Sequence, residues 1–145
     1  RRYQMSYVTL AAAIQSLLQT IPAIKVVYDY EPKELASEDL SGGYPAATVS
    51  ALSHANAFND IPANRRQYSF MVRLYYSTAD GRDSDAETTL RSVVDGVITT
   101  LEHDVTLGGA CDWARPTEGN WSYQEREIPL RVVEVTIECM KRALR

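Results

Sequence analysis

Residues 66–77, Arg-Gln-Tyr-Ser-Phe-Met-Val-Arg-Leu-Tyr-Tyr-Ser, constrain the fold of this 145-residue chain more than any other stretch. In an extended strand Tyr68, Phe70, Val72, Leu74 and Tyr76 point to one side, and Gln67, Ser69, Met71, Arg73 and Tyr75 to the other. A strict two-residue period of this kind does not match the 3.6-residue period of a helix. The strand therefore belongs near a sheet centre, and its apolar side needs a covering layer.

The flanking sequence supplies both. Tyr7, Leu10, Ala11, Ile14, Leu17, Leu18 and Ile21 make an apolar stripe that predicts a helix over 5–20, ended by Thr20-Ile21-Pro22. Ile24 to Tyr30 alternates branched and aromatic residues and reads as a strand, and Pro45 to Leu52 as a second strand of small residues. Ser53 to Asn64 has no clear period and carries Asn56, Asn59, Asp60 and Pro62, so a long loop is expected there.

Beyond the 66–77 strand, Ala79 to Asp83 reads as a turn and Ser84-Asp85-Ala86-Glu87 as a capping box. Leu90, Val93, Val94, Val97, Ile98 and Leu101 form the apolar face of a second helix, about 85–103, closed by Leu107-Gly108-Gly109. Ala110–Arg115 and Trp121–Glu127 flank an expected turn at 116–120, across which Trp113 and Trp121 would stack. In a last strand, about 130–140, Val133, Val135, Ile137 and Cys139 share one face, with Val132, Glu134, Thr136 and Glu138 opposite. The expectation is a single α+β domain over 1–145 in the order α-β-β-β-α-β-β, with two or three strands after the second helix. Its sheet is mostly antiparallel, has four to six strands and packs against two helices.

Charge narrows the function classes. The net charge of −4 argues against gripping nucleic acid through a basic surface. Asp29, Glu31, Glu34, Glu38 and Asp39 against Lys33 concentrate the acidity in residues 29–40. Twelve of the fifteen cationic residues are Arg and nine of thirteen aromatics are Tyr, a bias found at protein–protein contacts. No apolar run is long enough to span a bilayer, and the first residues do not read as a secretory signal, so no membrane partner is expected.

No residue pattern points to catalysis. His54 and His103 have no Cys, His or carboxylate at zinc-ligand spacing, and His103 fits a helix C-terminus. Asp80, Asp83, Asp85 and Glu87 lack the ligand order of an EF-hand, and Gly42-Gly43 and Gly108-Gly109 form neither a P-loop nor a dinucleotide fingerprint. There is no GxSxG, and Cys111 and Cys139 read as small core residues, with a disulfide between strands left open. No enzyme, metal or cofactor is expected.

Taken in order, the elements resemble the tail terminator (tail completion) proteins of long-tailed bacteriophages, over nearly the whole chain. The resemblance rests on the helix ending at Thr20-Ile21-Pro22, Val27-Tyr28-Asp29-Tyr30-Glu31-Pro32-Lys33 and Gly43-Tyr44-Pro45-Ala46-Ala47. It continues through Arg65-Arg66-Gln67-Tyr68-Ser69-Phe70, Val72-Arg73-Leu74-Tyr75-Tyr76, the helix through Leu90 to Leu101, the Leu107-Gly108-Gly109 turn and the closing strand. It implies a subunit of a homo-oligomeric ring, six-fold in such proteins, that caps the tail tube, ends tube polymerisation and offers the head connector a docking surface. Genomic DNA would pass through the lumen without specific binding. The setting implied is the virion tail or neck, assembled in the bacterial host cytoplasm. A neck or head-closure protein of the same particle is the alternative.

Ring closure needs two different patches that meet head to tail. The expected contact residues are Phe58, Ile61, Arg65 and Arg66 near the long loop, with Met71, Arg73 and Tyr75 as an axial surface. Asp29, Glu31, Glu34, Glu38 and Asp39 are the expected lumen or rim, where an acidic wall would repel phosphate.

Overall fold

The structure, a computed structural model, describes residues 6–30, 44–57, 63–125 and 129–144. Ser6 opens the first helix, α1 (Tyr7–Gln19). Its hydroxyl accepts from the Thr9 amide at 3.2 Å, and the Thr9 hydroxyl accepts from the Ser6 amide at 3.1 Å. This reciprocal cap satisfies two amides that a helix start leaves open. Leu10, Ile14, Leu17 and Leu18 form the buried stripe, and Thr20 caps the end ahead of Pro22.

The remaining elements are β1 (Val26–Tyr28), β2 (Ala46–Ala57), β3 (Ala63–Ser77), α2 (Asp83–His103), β4 (Trp113–Glu125) and β5 (Pro129–Leu144). They make an α+β fold around a five-stranded sheet in the order β1-β2-β3-β5-β4. β1 and β2 are parallel, and every other neighbouring pair is antiparallel. The alternating 66–77 segment lies in the central strand, as its pattern requires.

Both helices cover one sheet face. Leu10, Ile14 and Leu18 of α1 and Leu90, Val97 and Leu101 of α2 pack in one cluster with Val49, Phe70, Val72, Leu74, Val133, Val135 and Ile137. Burying each such side chain is worth about 1.5–3 kcal/mol. A smaller cluster gathers Tyr44, Ala46, Tyr75, Leu130 and Val132 at one end of the opposite sheet face.

Three local expectations are corrected. The expected 53–64 loop is in part strand: β2 continues through Ser53–Ala57, paired with Arg65–Ser69 beyond an irregularity at Leu52. Ser53, His54 and Ala55 are exposed there, so no apolar period marks the strand. The expected turn at 116–120 is instead strand β4, whose ladder with β5 only shifts register between Pro116 and Glu118. A bulge in an edge strand accommodates a proline that a central strand would reject. The Ser84–Glu87 capping box does not form, because the helix already begins at Asp83 with Arg82 at the cap. Glu87 is engaged elsewhere.

Candidate functional site

The large apolar side chains left exposed among the described residues sort by position. Val8, Tyr30 and Leu52 lie on α1, just after β1 and on β2, at one flank of the sheet. Val105, Trp121 and Tyr123 lie in the turn before β4 and on β4 itself, at the other flank.

On the first flank a groove of about 360 Å³ runs between α1 and β2, lined by Tyr7, Val8, Ala11, Ala12, Asp29, Val49, Ala51 and Phe70. Its width follows from the alanines, whose short side chains leave room between helix and strand. Tyr7 closes one side: its hydroxyl lies 2.7 Å from His54 Nδ1, and its ring meets Tyr68 edge-on at 4.7 Å. His54, which the sequence suggested to be a loop residue, lies on β2, paired across the ladder with Tyr68.

On the second flank Arg131 organises the exposed aromatics. Its guanidinium sits 4.3 Å from the Tyr123 ring and 5.1 Å from the Trp121 ring, and donates to the Ser122 carbonyl at 3.0 Å. Its Nε donates to Glu87 Oε1 at 3.0 Å, tying β5 to the first turns of α2. Burial pushes the Glu87 carboxyl up. The hydrogen bond and charge of Arg131, joined by Arg91, outweigh that and hold it below its usual range. Trp113 and Trp121 do not stack across a hairpin; they share one strand, with Arg115 over the first at 4.4 Å and Arg131 over the second.

The expected site residues divide. Phe58, Ile61, Glu31, Glu34, Glu38 and Asp39 lie outside the described residues. Asp29 is exposed at the groove just described. Arg65 pairs through its backbone with Ala57 and Arg142, and half-buried Arg66 sits opposite Asn56 and Lys141.

The surface expected of Met71, Arg73 and Tyr75 is corrected at its last member. Met71 is half-buried and Arg73 is paired with Glu134 at 2.7 Å, directly across the β3–β5 ladder. Tyr75 has no exposure at all, because its neighbours across the ladder are Ala46 and Val132 of the second cluster. It is a core residue and has no surface to offer.

Arg131 and the flank it holds were missed by sequence reasoning. The only signal was the aromatic pair Trp121 and Tyr123 at two-residue spacing beside a strand rich in valine. Among the described residues, no group of three or more His, Cys, Asp or Glu side chains converges as a metal site. No described helix is long and apolar enough to cross a membrane.

No protein-family model and no curated protein matches the chain. Its fold is similar to that of a solved chain described as the virion of a native gene transfer agent (GTA) particle. The TM-score is 0.58 at 15% identity, over 90% of this chain and 93% of that one. At this identity the likeness is one of fold, and it extends nearly end to end in both chains.

Proposed function

We propose that this chain is a structural protein of a phage-like virion, a subunit of a homo-oligomeric ring that caps the tail tube. The ring ends tube polymerisation and gives the head connector a surface to join. The observation that carries this reading is the nearly end-to-end likeness of fold to a virion chain. The two apolar flanks on opposite edges of one sheet support it, because a rotationally closed ring needs two different surfaces on each subunit. In this reading the Trp121–Tyr123 flank of one copy seats on the α1–β2 groove of the next. Phe58, Ile61, Arg65 and Arg66 extend that contact, and Met71 and Arg73 face along the ring axis.

The acidic residues Asp29, Glu31, Glu34, Glu38 and Asp39 form the lumen or its rim. A basic wall would bind DNA by releasing counterions, whereas an acidic wall lets it slide. The protein acts without catalysis or cofactor, in the tail or neck of a particle assembled in the host cytoplasm.

The test is to mix the purified protein with growing tail tubes. A terminator binds one tube end and limits length. Binding to the head connector with no effect on tube length would assign the chain to the neck or head-closure class instead. Binding to neither overturns the proposal.

A further inference from the structure

The β3–β5 ladder gathers four cationic residues on two adjacent rungs. Arg66 lies directly opposite Lys141, and Arg65 directly opposite Arg142. In the sequence Arg65-Arg66 is an isolated basic pair, and only the fold sets a second basic pair beside it. Like charges facing each other across a ladder are destabilising. Arg66 and Lys141 are both half-buried, so salt screens them less than it would free surface charges. On the other side of β3, the ladder partners of Arg65 and Arg66 are Ala57 and Asn56, which bring no charge. The Asp112 amide donates to the Met140 carbonyl at 2.9 Å, which places one carboxylate residue next to this group. One carboxylate against four cations leaves this end of the sheet basic, in a chain whose net charge is −4.

We propose that this basic end of the β3–β5 ladder is a docking site for carboxylates, and that its occupant is the acidic 29–40 stretch of a second copy. The proposal rests on the ring reading and names the charge pairing that holds neighbouring subunits together. The complement is written in the same chain: residues 29–40 carry five carboxylates against Lys33. Three of the four cations are Arg, whose forked guanidinium takes a carboxylate through two parallel hydrogen bonds. A nucleic-acid backbone is the poorer fit, because the net negative charge of the chain repels it at long range.

The sheet also separates the two charges within one copy. Asp29 follows Tyr28, which pairs with Thr48, whereas Arg66 pairs with Asn56 farther along the same strand. The run of β2 from Val49 to Asn56 covers about 23 Å at the rise of an extended strand. That is too far for an ion pair, so the exposed Asp29 carboxylate meets such a cluster only on another molecule. The acidic residues then belong to the rim, where subunits meet.

The test is a charge swap read by native mass spectrometry of the full chain. Arg66→Glu with Lys141→Glu sets acid against acid, and Glu34→Arg with Glu38→Arg sets base against base. Each double variant should need at least roughly tenfold more protein than the wild type to assemble, with unchanged circular dichroism. Mixed one to one, they should assemble at the wild-type concentration, since each supplies the charge that the other lacks. If the first variant does not fold, the second alone carries the test. Both variants assembling as readily as the wild type would overturn the proposal and leave the ring reading standing. A wild type that stays monomeric would overturn both. Rescue only when all four changes share one chain would place the pairing within a copy, and a short DNA duplex bound by the wild type but not by the first variant would make the cluster a phosphate site. Either result overturns the proposal.

Discussion

Arg131 and Glu87, 44 residues apart in sequence, meet at 3.0 Å and join the last strand of the sheet to the start of α2. The same guanidinium carries Trp121 and Tyr123 at the edge of β4. One side chain thus couples the core to an exposed aromatic surface. The arrangement resists replacement by lysine, whose ammonium cannot serve a carboxylate, a carbonyl and two ring faces from one plane.

Acid should loosen this junction. The folded Glu87 carboxyl titrates below its ordinary value of 4.5. Its contribution to stability is therefore complete above that value and is lost as pH falls through the lower folded value. Glu87→Gln should remove this dependence, so its Tm falls less steeply with acid than that of the wild type. Thermal unfolding from pH 6 down to pH 3 (roughly the window in which carboxylates protonate) checks this. Parallel curves for the two proteins would mean that Glu87 contributes nothing there.

Gly96 lies inside α2, where an added Cβ would meet only Ile21 Cγ2 at 3.9 Å. That is ordinary contact, so the helix gains rigidity without a clash. Gly96→Ala should stabilise the fold by about 0.5–1 kcal/mol. This corresponds to a rise in Tm of roughly 2–4 °C for a chain of this size. A lower Tm would show that Ile21 leaves less room beside α2 than this distance indicates.

Tyr75 and Met71 separate core from surface on a single strand. Tyr75→Ala should cost about 3–5 kcal/mol in urea unfolding, the scale for emptying a buried aromatic site. Met71→Ala, at a half-buried position, should cost less than half as much. Equal losses would contradict the burial that removes Tyr75 from the axial surface.

Much of this architecture was legible from side-chain period. In β3 one face carries branched and aromatic residues over a long run, so strand, face and central position all followed, and the same period marked β5 as a strand. β2 beyond Leu52 was not legible, because Ser53, His54, Ala55 and Asn56 hold their places through backbone pairing with β3. Pro116 to Asn120 has the composition of a turn, and only its ladder with β5 makes it strand. Tyr75 was misplaced because alternation assigns two faces but does not say which end of the second face is covered. The Arg131 junction depends on a partner in another element, which periodicity does not reveal. Of the candidate site, the flank built on Trp121 and Tyr123 emerged only with the fold.

The two flanks make a distinctive prediction for variants. Trp121→Asp with Tyr123→Asp should abolish the ring while circular dichroism stays that of a folded chain, and Leu52→Asp should do the same from the other side. Each variant keeps the flank that the other lacks. Mixed together they should form a one-to-one heterodimer and nothing larger, as head-to-tail contact requires. A pair that remains monomeric would remove these residues from the interface.

The most direct measurement is native mass spectrometry of the unmodified protein across a wide range of concentration. One closed multiple of the subunit mass, filling at the expense of monomer with no ladder of longer species, is the result expected of a ring. Monomer at every concentration, with or without tail tube present, would contradict it.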